Sequence, residues 1–345
     1  MMAKRSVGKG IAAEESLRNY FLSLGYFTVR SVPFVYKSFD VTDVDLWLYI
    51  KSSSLSRERT CVDIKRKKTP QAMERVFWTK GLWEVLGVDR AVVVTTDNRH
   101  ETRDFGATHD VTVLHGDFQQ RVINTFSSTS DRITEEQLFS VLKTPCVVDS
   151  AVVWPRFFRD SKAALLDGLS FNGCNALLIQ IRLLLAEYLA SNKTSLASVR
   201  LLYVITAYFL IALDYSARLI VHLDADKRRA SLAEGFRYGD SGRERTEKIV
   251  DMAVQLLAVT TQTDLVSRAT LGNEVTKQLS DYPAEILAEH FAKSEVLKQL
   301  FDHAREFERS AYAVQLAPPH QIASEQKALV GLLCDFLKID RRQVI

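Results

Sequence analysis

The chain has 345 residues, of which 47% are hydrophobic and 25% charged, a balance that excludes a disordered chain, a fibrous repeat and a multi-span membrane protein. This length predicts two domains, because single domains cluster near about 100 to 150 residues. The 45 basic and 42 acidic residues give a net charge of +3, which alone indicates no nucleic-acid, membrane or acidic partner. Four widely spaced cysteines, without a CxxC pair, predict reduced thiols and no zinc knuckle.

The sequence contains no stretch that we interpret as a targeting or membrane segment. The first 15 residues lack an apolar run, so we expect no secretory signal and a cytoplasmic protein. The most apolar stretch, 201–223, carries Asp214 and Arg218, which leaves an unbroken run shorter than the roughly 20 residues of a membrane span. We therefore predict a buried core helix there and no membrane partner.

The first 120 residues alternate between helical and strand patterns. Apolar residues three and four positions apart mark the helices, and runs rich in β-branched and aromatic residues mark the strands. The elements predicted in chain order are a helix at 9–24, strands at 26–32, 44–50 and 60–65, a helix at 70–86, a strand at 91–96, a helix at 98–106 and a strand at 111–114. This order predicts an α/β unit in which the second and third strands form a hairpin.

The helix predicted at 70–86 begins at a proline and ends before Gly87, both common at helix ends. We place six of its apolar residues on one buried face: Met73, Val76, Phe77, Leu82, Val85 and Leu86. Trp47, Trp78 and Trp83 also occupy apolar positions, and we interpret them as core residues and not as platforms for stacked bases.

Beyond a Ser/Thr-rich loop at 124–132 the pattern changes to helices alone. A capping box at 134–137 indicates a helix start. Apolar stripes then predict helices at 177–189, 201–223, 246–259, 284–301 and 327–337. We therefore expect an α/β plus all-α protein, divided into a domain at 1–125, a connecting segment at 126–165 and a helical domain at 166–345. Substrate recognition, oligomerisation and sensing of a partner are all compatible with the helical domain.

The residues that indicate a catalytic site are Asp45 at the start of the second predicted strand and Asp63 and Lys65 in the third. Alternate strand side chains share a face, and hairpin pairing brings Asp45 alongside the other two. Converging carboxylates repel each other and lose hydration, which a hard cation such as Mg2+ with oxygen ligands offsets. The carbonyl of Ile64 offers a further ligand, and Lys65 is placed to orient an attacking water or to stabilise phosphate charge.

These residues resemble the motif of the PD-(D/E)xK nuclease superfamily, which includes many restriction endonucleases and archaeal Holliday-junction resolvases. The restriction-endonuclease-like core of that family has a mixed central sheet flanked by helices, in the order helix, three strands, helix and strand. By this resemblance Asp45 and Asp63 bind Mg2+, with Mn2+ as a substitute, Lys65 acts at the water, and a glutamate of the first helix assists as a ligand. Glu14 fits that place, with Glu15 as the adjacent alternative.

Two features depart from this assignment or compete with it. Val44 precedes Asp45 where the motif has proline, although many family members also lack that proline. Asp43 is an alternative to Asp45, but it lies outside the apolar run LWLYI that would fix its direction. The resemblance covers only the N-terminal 120 residues.

The short motif alone is not specific. An acidic residue two positions before a lysine occurs at Asp63, Asp160 and Glu325. Only Asp63 lies in a strand pattern within the full order of elements, so we select it. The alternative for Asp63 and Lys65 is an exposed cross-strand ion pair worth roughly 0 to 1 kcal/mol.

Basic residues cluster around the predicted hairpin, between 51 and 68. In a nuclease, the residues that follow the third strand or open the next helix contact phosphates, and we assign this role to Arg66, Lys67, Lys68 and Gln71. Arg75 and Lys80 on the helix are either further phosphate contacts or solvated surface residues.

We predict a metal-dependent endonuclease that hydrolyses DNA phosphodiester bonds; restriction and phage defence are compatible pathways, and the sequence leaves repair and recombination open as well. The first alternative is a non-catalytic nucleic-acid-binding or assembly subunit on a nuclease-like core. The second alternative, ranked lower, is an RNA nuclease. The expected partners are DNA and either a second copy of the chain or a helicase, ATPase or methyltransferase.

Overall fold

A computed structural model describes residues 9–66, 71–127, 131–261 and 265–345 of the chain. The N-terminal half has the predicted order of elements from the first helix to the fifth strand, and a further helix at 116–126 follows that the sequence pattern does not predict and that takes in the first residues of the predicted loop at 124–132. The elements are α1 (Lys9–Ser23), β1 (Phe27–Tyr36), β2 (Phe39–Lys51), β3 (Arg57–Ile64), α2 (Ala72–Leu86), β4 (Arg90–Val94), α3 (His100–Thr108), β5 (Val111–Leu114) and α4 (Gly116–Phe126). The protein is therefore a mixed α/β protein.

The five strands form one mixed sheet in the order β1-β2-β3-β4-β5. β1, β2 and β3 are antiparallel neighbours, whereas β3, β4 and β5 run parallel. Parallel neighbours need crossover connections, which α2 and α3 supply. The continuously apolar β4 is buried from Ala91 to Val94, as its pattern predicts.

The strands β2 and β3 separate at one end of their ladder. Their pairing ends at Leu46 opposite Val62, although β2 continues to pair with β1 beyond this point, and β3 with β4. The next residues on the two strands are Asp45 and Asp63. We call this end of the hairpin, with Asp45, Asp63 and Lys65, the strand fork.

The remainder of the described chain is helical. Its helices are α5 (Glu135–Val141), α6 (Trp154–Asp167), α7 (Phe171–Ala190), α8 (Leu196–Ala217), α9 (Ala225–Tyr238), α10 (Gly242–Thr261), α11 (Leu265–Ser280), α12 (Ala284–Phe291), α13 (Ser294–Tyr312) and α14 (Ser324–Phe336). The helix predicted at 284–301 is wrong as a single element, because extended backbone at Lys293 separates α12 from α13. The capping box forms at Thr134, whose side chain accepts a hydrogen bond from the backbone N–H of Gln137.

The segment predicted as a connection, 126–165, contains α5 and α6 and contributes to the core. Trp154 and Phe158 of α6 are buried in the same hydrophobic cluster as residues of the sheet. Lys162 of α6 donates to the carbonyl oxygen of Arg30 on β1 at 2.9 Å. Within the described residues of this segment, α6 therefore packs against β1 and contributes to the core.

Side chains of β2 alternate between two cores. Leu46 and Leu48 belong to a cluster with residues of α1 and α4, whereas Trp47 and Tyr49 belong to a larger cluster with α2 and the C-terminal helices. The ring centroid of Tyr49 lies 5.9 Å from that of Phe301 on α13. The sheet is therefore covered on both faces, and the C-terminal helices cover one of them.

Within the described residues, α7 and α8 are long and apolar enough to cross a membrane by length and composition alone. In α8, 94% of the most apolar window is buried inside the protein. Its fully buried Asp214 accepts hydrogen bonds from Tyr49 Oη at 2.7 Å and Lys51 Nζ at 3.0 Å, and also pairs with Arg57. α8 is therefore the buried core helix that the sequence predicts.

The predicted buried face of α2 is partly wrong. Val76, Leu82 and Leu86 are buried, but Met73, Phe77 and Val85 are exposed, and so is Trp78. The helix meets the core through one stripe, and its second apolar stripe stays largely exposed, with Phe77 in contact with the ring of Phe105 on α3 at 5.2 Å. The other two tryptophans agree better with the prediction, since Trp47 is fully buried and Trp83 is partly buried.

Candidate functional site

The strand fork brings together the three residues that carry the predicted chemistry. Lys65 Nζ lies 3.8 Å from Asp45 Oδ2 and 3.5 Å from Asp63 Oδ1. The side chain of Asp63 is 3% exposed and that of Asp45 19%, while Lys65 keeps 31% of its side-chain surface in solvent. The ammonium group of Lys65 therefore lies between two largely buried carboxylates and remains accessible from outside.

The backbone of β3 fixes Asp45 in this position. The N–H of Ile64 donates a hydrogen bond to Asp45 Oδ2 at 2.6 Å, so the side chain of Asp45 replaces the ladder partner that β3 loses at the fork. The N–H and C=O of one strand residue point to the same side. The carbonyl of Ile64 therefore points toward β2, the side on which Asp45 lies.

Secondary structure explains why the other acidic-x-Lys pairs do not form such a group. On α6, residues two positions apart point to nearly opposite sides of the helix. Lys162 is buried and bonds Glu135 at 2.8 Å, whereas Asp160 is exposed and pairs with Arg156. Lys65 directly follows β3, and its N–H continues the ladder by donating to the carbonyl oxygen of Val94 at 2.8 Å, so Asp63 and Lys65 share one face as they would on a strand.

Burial perturbs the carboxylates at the fork. The pKa of Asp45 rises to about 6, mainly because burial disfavours its charge; Asp63 adds to the rise, while the Ile64 N–H and Lys65 oppose it. The pKa of Glu14 rises to about 7, again mainly through burial, with repulsion from Asp45 as the next cause. Glu14 on α1 is therefore electrostatically coupled to the strand fork.

Arg30 on β1 distinguishes Glu14 from its neighbour. Glu15 accepts a hydrogen bond from Arg30 Nη1 at 2.9 Å and also lies 3.5 Å from Arg18. Glu14 lies farther from the same guanidinium, with 3.6 Å between its Oε2 and Arg30 Nε. Glu15 therefore has the closer ion pair with Arg30, and Glu14 is the residue whose pKa the negative charge of Asp45 raises.

Asp43 lies inside β2, opposite Pro33 of β1, so its predicted place outside the strand is wrong. Its side chain is exposed. Asp45, and not Asp43, makes the contacts with Ile64 and Lys65 that define the fork.

Sequence reasoning missed the principal partner of Asp63. Arg75 of α2 donates from Nε to Asp63 Oδ2 at 2.8 Å and from Nη2 to Asp63 Oδ1, and its guanidinium stacks on the ring of Trp78 at 4.1 Å. A crossover helix starts beside the carboxyl end of the strand before it. A basic residue in the first turns of such a helix can therefore reach the last carboxylate of that strand, and this position was the available signal.

Most of the basic cluster predicted around the hairpin is engaged within the protein. Lys51 and Arg57 bind Asp214, and Arg59 pairs with Asp89 at 3.1 Å. These residues therefore form structural contacts that balance acidic groups.

The predicted phosphate contacts remain predictions. Gln71 is exposed at the start of α2, and Arg66 is exposed two residues after the end of β3. Lys67 and Lys68 lie outside the described residues.

The donor set fits a hard divalent cation in type. Carboxylate oxygens of Asp45, Asp63 and Glu14 and the carbonyl oxygen of Ile64 are ligands that Mg2+ and Mn2+ accept. The carboxylates need a cation less than the sequence predicts, because Lys65 and Arg75 already compensate the charge of Asp63. A metal ion at the fork would have to compete with Arg75 for this carboxylate.

Comparison with protein-family models, with characterised proteins and with solved structures finds no match to this chain. The resemblance to the PD-(D/E)xK nucleases therefore rests on the motif residues and on the order of elements.

Proposed function

We propose that this protein is a metal-dependent nuclease that hydrolyses phosphodiester bonds in DNA, on a restriction-endonuclease-like core formed by its N-terminal α/β segment. The observation that carries the proposal is the convergence of Asp45, Asp63 and Lys65 at the strand fork. An ordinary surface ion pair needs no second carboxylate and no burial. Here two carboxylates are largely buried on either side of one lysine, an arrangement that is costly for a fold and useful for chemistry.

The residues of the fork have distinct roles in this proposal. Asp45 and Asp63 hold the cation, with Glu14 and the carbonyl of Ile64 as further oxygen ligands. A Mg2+ ion bound there would polarise the phosphoryl group and lower the pKa of a bound water. Lys65 Nζ, which is partly exposed beside both carboxylates, positions the attacking water and stabilises the charge that develops on the phosphate.

The raised pKa of Asp45 and Glu14 also predicts how the fork responds to a cation. Both side chains carry a proton more readily than free carboxylates, so metal binding must release protons. Metal binding is therefore expected to strengthen as the pH rises from 5 to 8.

In this proposal DNA is bound by Arg66, Lys67, Lys68 and Gln71, which follow the catalytic strand.

The test is a cleavage assay with Mg2+ or Mn2+ on plasmid, linear, branched and single-stranded DNA and on RNA. Asp63→Asn and Lys65→Ala are expected to lower the rate about 10²- to 10³-fold, the usual effect of removing one preorganised charge-stabilising group. Asp160→Asn is the matched control, because Asp160 is the acidic residue of a second acidic-x-Lys sequence and its side chain is exposed on α6. Its rate should equal that of the wild type.

Two results would contradict the proposal. One is that the wild type binds these nucleic acids but cuts none of them with either metal. The other is that Asp63→Asn retains the full rate, which would assign any observed cleavage to a contaminating nuclease. Cleavage of RNA but not of DNA would replace the DNA substrate with the alternative of an RNA nuclease.

The second candidate function is a non-catalytic nucleic-acid-binding or assembly subunit that acts with a partner such as a helicase, ATPase or methyltransferase. One observation favours it: Arg75 already binds both oxygens of Asp63, so the chain needs no metal to balance that charge. Isothermal titration with Mg2+ separates the two functions. Binding that Asp45→Ala abolishes supports the nuclease, whereas an absence of Mg2+ binding supports the non-catalytic subunit.

A further inference from the structure

A second group of possible metal ligands lies between α13 and α14, in the helical half that the proposed nuclease activity does not use. His303 and Glu306 are three positions apart on α13 and therefore share one face of the helix. Glu325 belongs to the first turn of α14. The ligand atoms of the three residues all lie within 4.8 Å of one another.

The buried imidazole is the feature that points to a ligand. His303 is 8% exposed, and its Nδ1 is buried without a hydrogen-bond partner. This atom lies 3.6 Å from Glu306 Oε2 and 3.9 Å from Glu325 Oε2. Both distances are too long for a hydrogen bond, so a buried polar atom faces two carboxylates without bonding to either.

The spacing suits atoms that share one ion. Two ligands at the usual zinc–nitrogen and zinc–oxygen distances of roughly 2.0 to 2.2 Å lie about 3.4 Å apart in tetrahedral geometry. The observed separations from Nδ1 exceed this value by a few tenths of an ångström. A small rotation of either glutamate closes that difference, because both side chains are partly or largely exposed.

We propose that His303, Glu306 and Glu325 bind a divalent transition-metal ion of the Zn2+ class. An imidazole nitrogen with two carboxylates suits Zn2+ and its neighbours, whereas Mg2+ and Ca2+ prefer all-oxygen sites. The ion ties the start of α14 to α13 and leaves a coordination position open toward solvent. This site is chemically distinct from the all-oxygen strand fork.

The first measurement is a Zn2+ titration of the full chain in excess Mg2+, which occupies oxygen-only sites. Wild type is expected to bind one Zn2+ ion. The double variant Glu306→Gln/Glu325→Gln is expected to bind Zn2+ more than about 100-fold more weakly, because removing even a residue that only orients a ligand lowers metal affinity roughly 10- to 100-fold. Glu289→Gln/Glu295→Gln is the matched control. It removes two exposed carboxylates of α12 and α13 and should leave Zn2+ affinity unchanged.

The second measurement identifies the ligand atom. Nitrogen NMR spectra of the seven histidines should show one imidazole whose Nδ1 signal shifts on addition of Zn2+, and His303→Gln should remove that signal. All four acidic substitutions lie on exposed side chains, so folding is expected to survive them.

Two outcomes overturn the proposal: no stoichiometric Zn2+ binding by wild type, or binding that Glu306→Gln/Glu325→Gln retains. Neither outcome bears on the nuclease assay, which depends on the strand fork.

Discussion

Replacing Glu14 by glutamine tests the strand fork through its effect on folding. Burial and repulsion from Asp45 raise the pKa of Glu14 from 4.5 to about 7, against the attraction of Arg30. Between these two pH values the folded protein holds a proton that the unfolded chain has released. Stability therefore falls as the pH rises through this window, and Glu14→Gln, which cannot ionise, is expected to escape that loss.

The pKa shift sets the magnitude. One pKa unit corresponds to about 1.4 kcal/mol, so ionised Glu14 costs up to about 3 kcal/mol above pH 7. Part of this cost is already present at pH 5, because free glutamate is largely ionised there. Between pH 5 and pH 8 the wild type is therefore expected to lose about 2 kcal/mol more than Glu14→Gln.

Urea unfolding at pH 5 and pH 8 in EDTA measures this difference. Glu15→Gln is the control, because it removes the neighbouring carboxylate that accepts a hydrogen bond from Arg30 at 2.9 Å. Loss of that ion pair should lower stability at pH 8, where Glu14→Gln raises it. The reasoning is refuted if Glu14→Gln is the less stable protein at pH 8, since Glu14 would then be an ordinary partner of Arg30.

Two further predictions concern buried carboxylates. Asp214→Asn is expected to cost about 3 to 5 kcal/mol in urea unfolding, since it leaves two cations of the hairpin buried without their partner, whereas Asp226→Asn on an exposed side chain should cost almost nothing. Arg75→Gln is expected to tighten Mg2+ binding in isothermal titration, because it removes the competitor for Asp63. Lys80→Gln on the same helix should leave the affinity unchanged, and unchanged or weaker binding by Arg75→Gln would refute this competition.

Elements defined by local patterns could be predicted well from the sequence. β5 has the predicted bounds, because a short apolar run between polar residues specifies a strand without help from the rest of the chain. The break between α12 and α13 could not be found in this way. Apolar spacing continues across Lys293, and the extended backbone there depends on how the two helices pack. The exposed stripe of α2 has the same origin, since a pattern does not show which of two apolar faces meets the core.

In the candidate site, too, local patterns predict some contacts and tertiary packing determines the others. Strand alternation was enough to pair Asp63 with Lys65, and hairpin pairing was enough to bring Asp45 to them. The contact of Arg75 with Asp63 depends on the path of a crossover helix, and the preference for Glu14 over Glu15 depends on where Arg30 lies. Such contacts are tertiary: the position of Arg75 at the start of a crossover helix hints at its contact, whereas nothing in the periodicity indicates where Arg30 lies.

Charge balance gives the strongest example of information that the sequence hides. Arg18 and Glu308 lie 290 positions apart, yet they bond at 2.8 Å with both side chains almost fully buried. Arg132 pairs with the same carboxylate, and both guanidiniums lie against the ring of Tyr312, at 3.9 and 4.5 Å from its centroid. Removing Glu308 would leave both guanidiniums without their shared carboxylate, which is far more costly than losing a surface pair. A net charge of +3 therefore conceals ion pairs that bind α1 to α13, and through α1 they connect Glu14 and the strand fork to the helical half.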